Sequence, residues 1–78
     1  MKSERDTLAL LRQLYRDAGG DPHAIVRVTP LYGNWYNALK FEVARADDAK
    51  TWIWRKDLES GNTAAIVSAL NDFSAPAR

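Results

Sequence analysis

The sequence predicts a small α+β domain, a two-layer αβββα arrangement with two helices packed on one face of a three-stranded antiparallel meander of order 1-2-3. Three observations point to it: an apolar stripe at helical spacing over residues 3–19, β-branched residues with a period of two over 24–56, and a return to helical spacing over 62–73.

The first helix places Leu8, Leu11, Tyr15 and Ala18 on one face, with Leu10 and Leu14 widening the stripe. Ser3 is the expected N-cap, and Glu4 and Asp6 lie in the first turn, where the helix dipole favours acids. Gly19-Gly20 followed by Asp21-Pro22 ends the helix.

Three strands follow: Ala24-Ile-Val-Arg-Val-Thr29, Ala38-Leu-Lys-Phe-Glu-Val43 and Thr51-Trp-Ile-Trp-Arg55. Gly33 at the first central position of Tyr32-Gly-Asn-Trp35 fits a type II′ hairpin, and Asp47-Asp48 turns the second connection. A two-residue first turn sets Val28 against Leu39, Val26 against Phe41 and Ala24 against Val43. An even-length second turn sets Val43 against Trp52 and Phe41 against Trp54. A slip of one residue would send both tryptophans to the other face. Burying two indoles removes roughly 300 to 500 Å² from water, about 8 to 12 kcal/mol, so Trp52 and Trp54 are expected inside. Pro30 then falls in an edge strand, where proline is tolerated.

Residues 57–61 read as a polar loop. Asn62 is the expected N-cap of the second helix, whose apolar side carries Ile66, Val67, Leu70 and Phe73, and residues 74–78 are expected to fray. With 78 residues, 46% hydrophobic and 27% charged, the chain has the composition of one globular domain. It contains no cysteine, which fits a reducing, cytoplasmic setting. Neither a signal peptide nor an apolar run long enough to span a membrane is read, so no membrane partner is expected.

On the outer face the same register aligns Arg27, Lys40 and Arg55, one from each strand, with Ile25 and Ile53 alongside and Tyr36 beyond the turn. Like charges directly across a sheet repel. The row is therefore either a solvated face whose basic stems cover the isoleucines or a docking site for an acidic protein surface or for phosphates. Trp35, beside Tyr32 and Tyr36, either closes the hairpin or anchors a partner. Arg5, Arg12 and Arg16 form a secondary basic stripe on the first helix, where charged residues are the default.

Catalytic signals are missing. His23 is the only histidine, so no metal set can be completed with cysteine or a second histidine. No phosphate loop, dinucleotide fingerprint or nucleophile elbow occurs, and no cofactor is implied. The chain is not expected to be an enzyme.

The αβββα order resembles that of double-stranded RNA-binding domains, and Asn62-Thr-Ala-Ala-Ile-Val-Ser-Ala-Leu70 is similar to their last helix. Where those domains carry consecutive lysines this chain has Ser60-Gly-Asn-Thr63, so the resemblance is one of topology, and topology does not set function. A net charge of +1, from eleven basic and ten acidic residues, favours a protein partner. The expectation is a small non-catalytic protein-binding module, a stand-alone regulator or inhibitor of bacterial or phage accessory type, docking through the outer sheet face. The alternatives are nucleic-acid binding through the basic stripe of the sheet or the first helix, and a homodimer paired through an edge strand.

Overall fold

The computed structural model describes residues 4–31 and 38–74. Helix α1 spans Glu4–Asp17, a 3₁₀ turn spans Pro22–Ala24, and strands β1 (Ile25–Leu31), β2 (Lys40–Arg45) and β3 (Lys50–Trp54) follow. Helices α2 (Arg55–Ser60) and α3 (Thr63–Leu70) complete the chain order. The strands form one antiparallel sheet of order β1-β2-β3. Side chains of α1, α2 and α3 join its inner face in one core: Leu11, Ile25, Val28, Ala38, Phe41, Val43, Ile53, Leu58, Ile66 and Leu70.

The helix signals hold, except that α3 ends at Leu70 and Phe73, expected on its apolar side, packs against the core from beyond it. Leu11 is buried and Leu8, Leu14 and Tyr15 pack against the core, whereas Ala18 is exposed. Gly19, at φ +96°, ends α1: its N–H donates to the Arg16 carbonyl (2.9 Å) and Gly20 N–H to the Tyr15 carbonyl (2.9 Å). This is the paired closing of a Schellman motif. Asn62 caps α3 through its side chain, which accepts from Ala65 N–H at 3.3 Å. Ser3, the turn at Gly33-Asn34 and the cluster Tyr32, Trp35 and Tyr36 lie outside the described residues.

The strand register departs from expectation on both sides of β2. Val28 faces Val43 rather than Leu39, and Pro30 faces Phe41. A bulge between Ile25 and Arg27 bends β1 and breaks the alternation, so that Ile25 turns inward and Val26 is 45% exposed. On the other side, Phe41 faces Ile53 and Glu42 faces Trp52, one residue away from the expected pairing. The cause is the turn. Arg45 N–H bonds the Ala49 carbonyl (2.9 Å) and Asp48 N–H the Arg45 carbonyl (3.0 Å), which leaves Ala46, Asp47 and Asp48 as a loop of odd length. Asp48 takes φ +67°, the left-handed residue that such a three-residue hairpin requires.

A change of one residue inverts the faces of β3. Thr51 and Ile53 point into the core, and Trp52 and Trp54 point out, 44% and 48% exposed. Large apolar area did not decide the register because α3 lies too close beneath β3 for an indole. The Thr51 hydroxyl reaches the Ala69 carbonyl at 2.8 Å.

Two further differences concern the second half. Residues 55–60, read as the end of a strand and the start of a loop, form α2. Its buried Leu58 joins the core, and Gly61 at φ +71° closes it. Ser74, expected to fray, pairs with Lys50 through both main-chain hydrogen bonds (3.1 and 2.9 Å). Among the described residues, no helix is long and apolar enough to cross a membrane.

Candidate functional site

The outer face of the sheet reads, in cross-strand rows, Arg27 with Ala44 and Lys50, Thr29 with Glu42 and Trp52, and Leu31 with Lys40 and Trp54. The expected row of Arg27, Lys40 and Arg55 does not assemble. Arg27 lies at the far end of β1 from Lys40, and Arg55 has left the strand for the first turn of α2, where its Nε lies 3.7 Å from Glu59. Ile25 and Ile53, expected beside that row, are core residues. Trp35 and Tyr36 lie outside the described residues. On α1, the Arg12 Nε donates to the Ile25 carbonyl at 2.9 Å, tying the helix to β1. Arg16 stays exposed with Asp17 at 3.9 Å, and Arg5 is exposed in the first turns.

What the register puts outside instead is an aromatic pair. Trp52 and Trp54 are two residues apart on one strand, so both indoles project from the same side about 7 Å apart. Lys40 Nζ lies 4.5 Å from the centre of a Trp54 ring, a cation–π contact across the β2–β3 pair. Leu39, at the entrance to β2, is 56% exposed next to it. Together Leu39, Trp54, Arg55, Lys56 and Glu59 line a notch of about 290 Å³, with an apolar floor and a predominantly cationic rim.

Charges along the same face are mixed but lean positive. Arg27, Lys40 and Lys50 stand against Glu42, whose carboxylate lies 3.6 Å from Lys50 Nζ. Such an exposed pair contributes little to stability. Ala44, although on the outer face, is buried outside the core cluster.

Elsewhere the ionisable groups hold structure. Asp47 accepts from Arg45 at 2.6 and 3.0 Å and from Ala49 N–H at 3.2 Å. The Arg45 guanidinium, then the Ala49 amide, hold the Asp47 carboxyl down at about 2. Arg45 is held well above its ordinary value by Asp47, with Tyr15 assisting, and its guanidinium lies 4.9 Å from the Phe73 ring. His23 is exposed in the 3₁₀ turn, its N–H bonded to Asp21 at 2.9 Å. Among the described residues no group of three or more histidines or acids is placed to hold a metal ion.

No family model, curated protein or solved structure matches this chain. Its site therefore rests on its own geometry, in which the surface tryptophans are the feature that pattern reading missed. The signal for them was the left-handed position that Asp48 can tolerate, which makes the turn odd.

Proposed function

We propose that the chain is a small, non-catalytic protein-binding module, regulatory or inhibitory in role, that docks through the outer face of its sheet. The observation that carries this is Trp54, half-exposed, with Lys40 over its ring and Leu39, Arg55 and Lys56 around it. Tryptophan and arginine dominate the energetic centres of protein interfaces, and a contiguous exposed apolar patch rimmed by polar residues marks an interaction site. The cationic rim favours an acidic partner surface, because complementary charge steers the encounter and fixes orientation. A cysteine-free sequence supports a cytoplasmic setting.

A second reading draws on the same pair. Exposed aromatics on a sheet with nearby cations form a platform on which successive bases of a single strand can stack, and Trp52, Trp54, Lys40 and Lys50 have that character.

Affinity capture from the cells that make the protein separates these readings when wild type is compared with Trp54→Ser and with Lys40→Glu/Lys56→Glu. Loss of one captured protein in both variants, with melting unchanged, supports the docking reading. Unchanged capture refutes it. Binding of a mixed-sequence single-stranded oligonucleotide that weakens steeply with salt and is lost in Trp52→Ser/Trp54→Ser favours the second.

A further inference from the structure

The outward-facing edge of β3 has main-chain groups that no strand covers among the described residues. Arg45 N–H bonds Ala49 and Arg55 N–H bonds the Leu39 carbonyl (2.8 Å). Bonded pairs alternate along an antiparallel ladder. Thr51 and Ile53 therefore turn their main chain towards β2, while Lys50, Trp52 and Trp54 turn theirs to the free edge. At Lys50 that edge is already used: Ser74 pairs with it as a fourth strand would. The pairing stops there, because the chain before Ser74 turns back into α3, with Asp72 N–H bonded to the Ala69 carbonyl at 3.0 Å. Among the described residues, the N–H and C=O of Trp52 and the N–H of Trp54 have no partner strand. The Trp54 carbonyl belongs to the first turn of α2.

Beside this edge runs a groove of about 400 Å³ between β3 and α3. Trp52 and Trp54 form one wall, Ala65, Ser68 and Ala69 form a floor of small side chains, and Asp57 and Asp72 stand at its rim. A strand edge facing a helix across a groove is the geometry in which extended peptides add to a sheet.

We infer that this edge takes an extended peptide segment of a partner protein as a short fourth strand, with an apolar residue opposite Trp52 and a lysine or arginine on each side of it. The alternation of a strand dictates the pattern. The residue opposite Trp52 shares its outer face, whereas its two neighbours point towards α3. There a long basic side chain can lay its stem on the alanine floor and carry its charge to Asp57 or Asp72. A second copy of this chain fits less well. Symmetric pairing about Trp52 would set Lys50 against the partner's Trp54 and so displace Ser74. The inference rests on the reading of the chain as a protein-binding module, but uses the β3 edge and its acids rather than the cationic notch.

The test titrates the ¹⁵N-labelled full chain with the tripeptide Lys-Val-Lys, blocked at both ends and short enough to leave the Ser74–Lys50 pair in place. Saturable shifts of the Trp52 amide and its slowed hydrogen exchange are expected, with affinity falling about tenfold in Asp57→Asn/Asp72→Asn. With the wild-type protein, methylating the valine N–H, or replacing both lysines by glutamate, should abolish the shifts. Absence of binding at millimolar peptide overturns the inference, as does binding that leaves the Trp52 amide unmoved or ignores the aspartate changes. Light scattering that shows a dimer with Trp52 already protected overturns it in favour of a second copy. Partner capture that still depends on Trp54 and Lys40 after any of these results leaves the docking reading standing, so the two failures are distinguishable.

Discussion

The hydroxyl of Thr51 donates to the carbonyl of Ala69 at 2.8 Å, and that bond sets how closely α3 approaches the underside of β3. Both residues are small. With Thr51 buried, there is no room for an indole at this position, and the tryptophans on either side of Ile53 are turned outward. Thr51→Val keeps the shape and removes the bond. It should cost about 1 kcal/mol in urea unfolding, the usual net value of an internal hydrogen bond.

Ile53 and Trp52 should respond very unequally to truncation. Ile53 is fully packed in the core, so Ile53→Ala should lose about 3 kcal/mol through transfer and cavity terms. Trp52→Ser, at an exposed position, should lose less than about 1 kcal/mol. The reverse order would mean that the register is the other one. Unfolding midpoints of the two variants decide it.

The turn at Asp48 predicts a gain. Its φ of +67° is costly for a side chain with a Cβ and free for glycine. Asp48→Gly should therefore stabilise the fold by a few tenths to about 1 kcal/mol, after allowing for the greater freedom of glycine in the unfolded chain. A loss of stability would contradict the left-handed assignment.

Acid should loosen the same hairpin in a defined window. The Asp47 carboxyl titrates at about 2 when folded, against an ordinary value of 3.8, because Arg45 and the Ala49 amide bind its charged form. A depressed folded value means that the contribution is fully present above the unfolded value and fades as pH falls from about 4 towards 2. Carboxyl carbon shifts should give the low midpoint, and the stability difference between wild type and Asp47→Asn should shrink over that window. A midpoint near 3.8 would show that the Arg45 pair does not hold in solution.

Helix α1, its glycine stop and the Asn62 cap were legible because each is a local event. Stripe residues such as Leu11, the Gly19-Gly20 step and one amide side chain suffice to specify them. The meander and its order were legible for the same reason. Its faces were not. They depend on the parity of a turn, and Ala46-Asp47-Asp48 becomes odd only through the backbone angle of one aspartate. On β1 the bulge after Ile25 likewise moved a residue read as outer into the core, and α2 has a single buried apolar residue, Leu58, too few to show a period. The shift of register between β1 and β2 separated Arg27 from Lys40, the start of α2 removed Arg55, and the inverted face of β3 brought Trp52 and Trp54 out beside Lys40 and Leu39.

Fluorescence quenching of the Trp54-only protein, Trp35→Phe/Trp52→Phe, tests most directly whether β3 presents an exposed indole in a cationic setting. With Lys40 Nζ at 4.5 Å and Arg55 and Lys56 nearby, iodide should quench the folded protein efficiently and far better than caesium, with the gap narrowing as salt screens the field. Emission that is shielded from both ions until the chain unfolds would place Trp54 in the core and contradict the account.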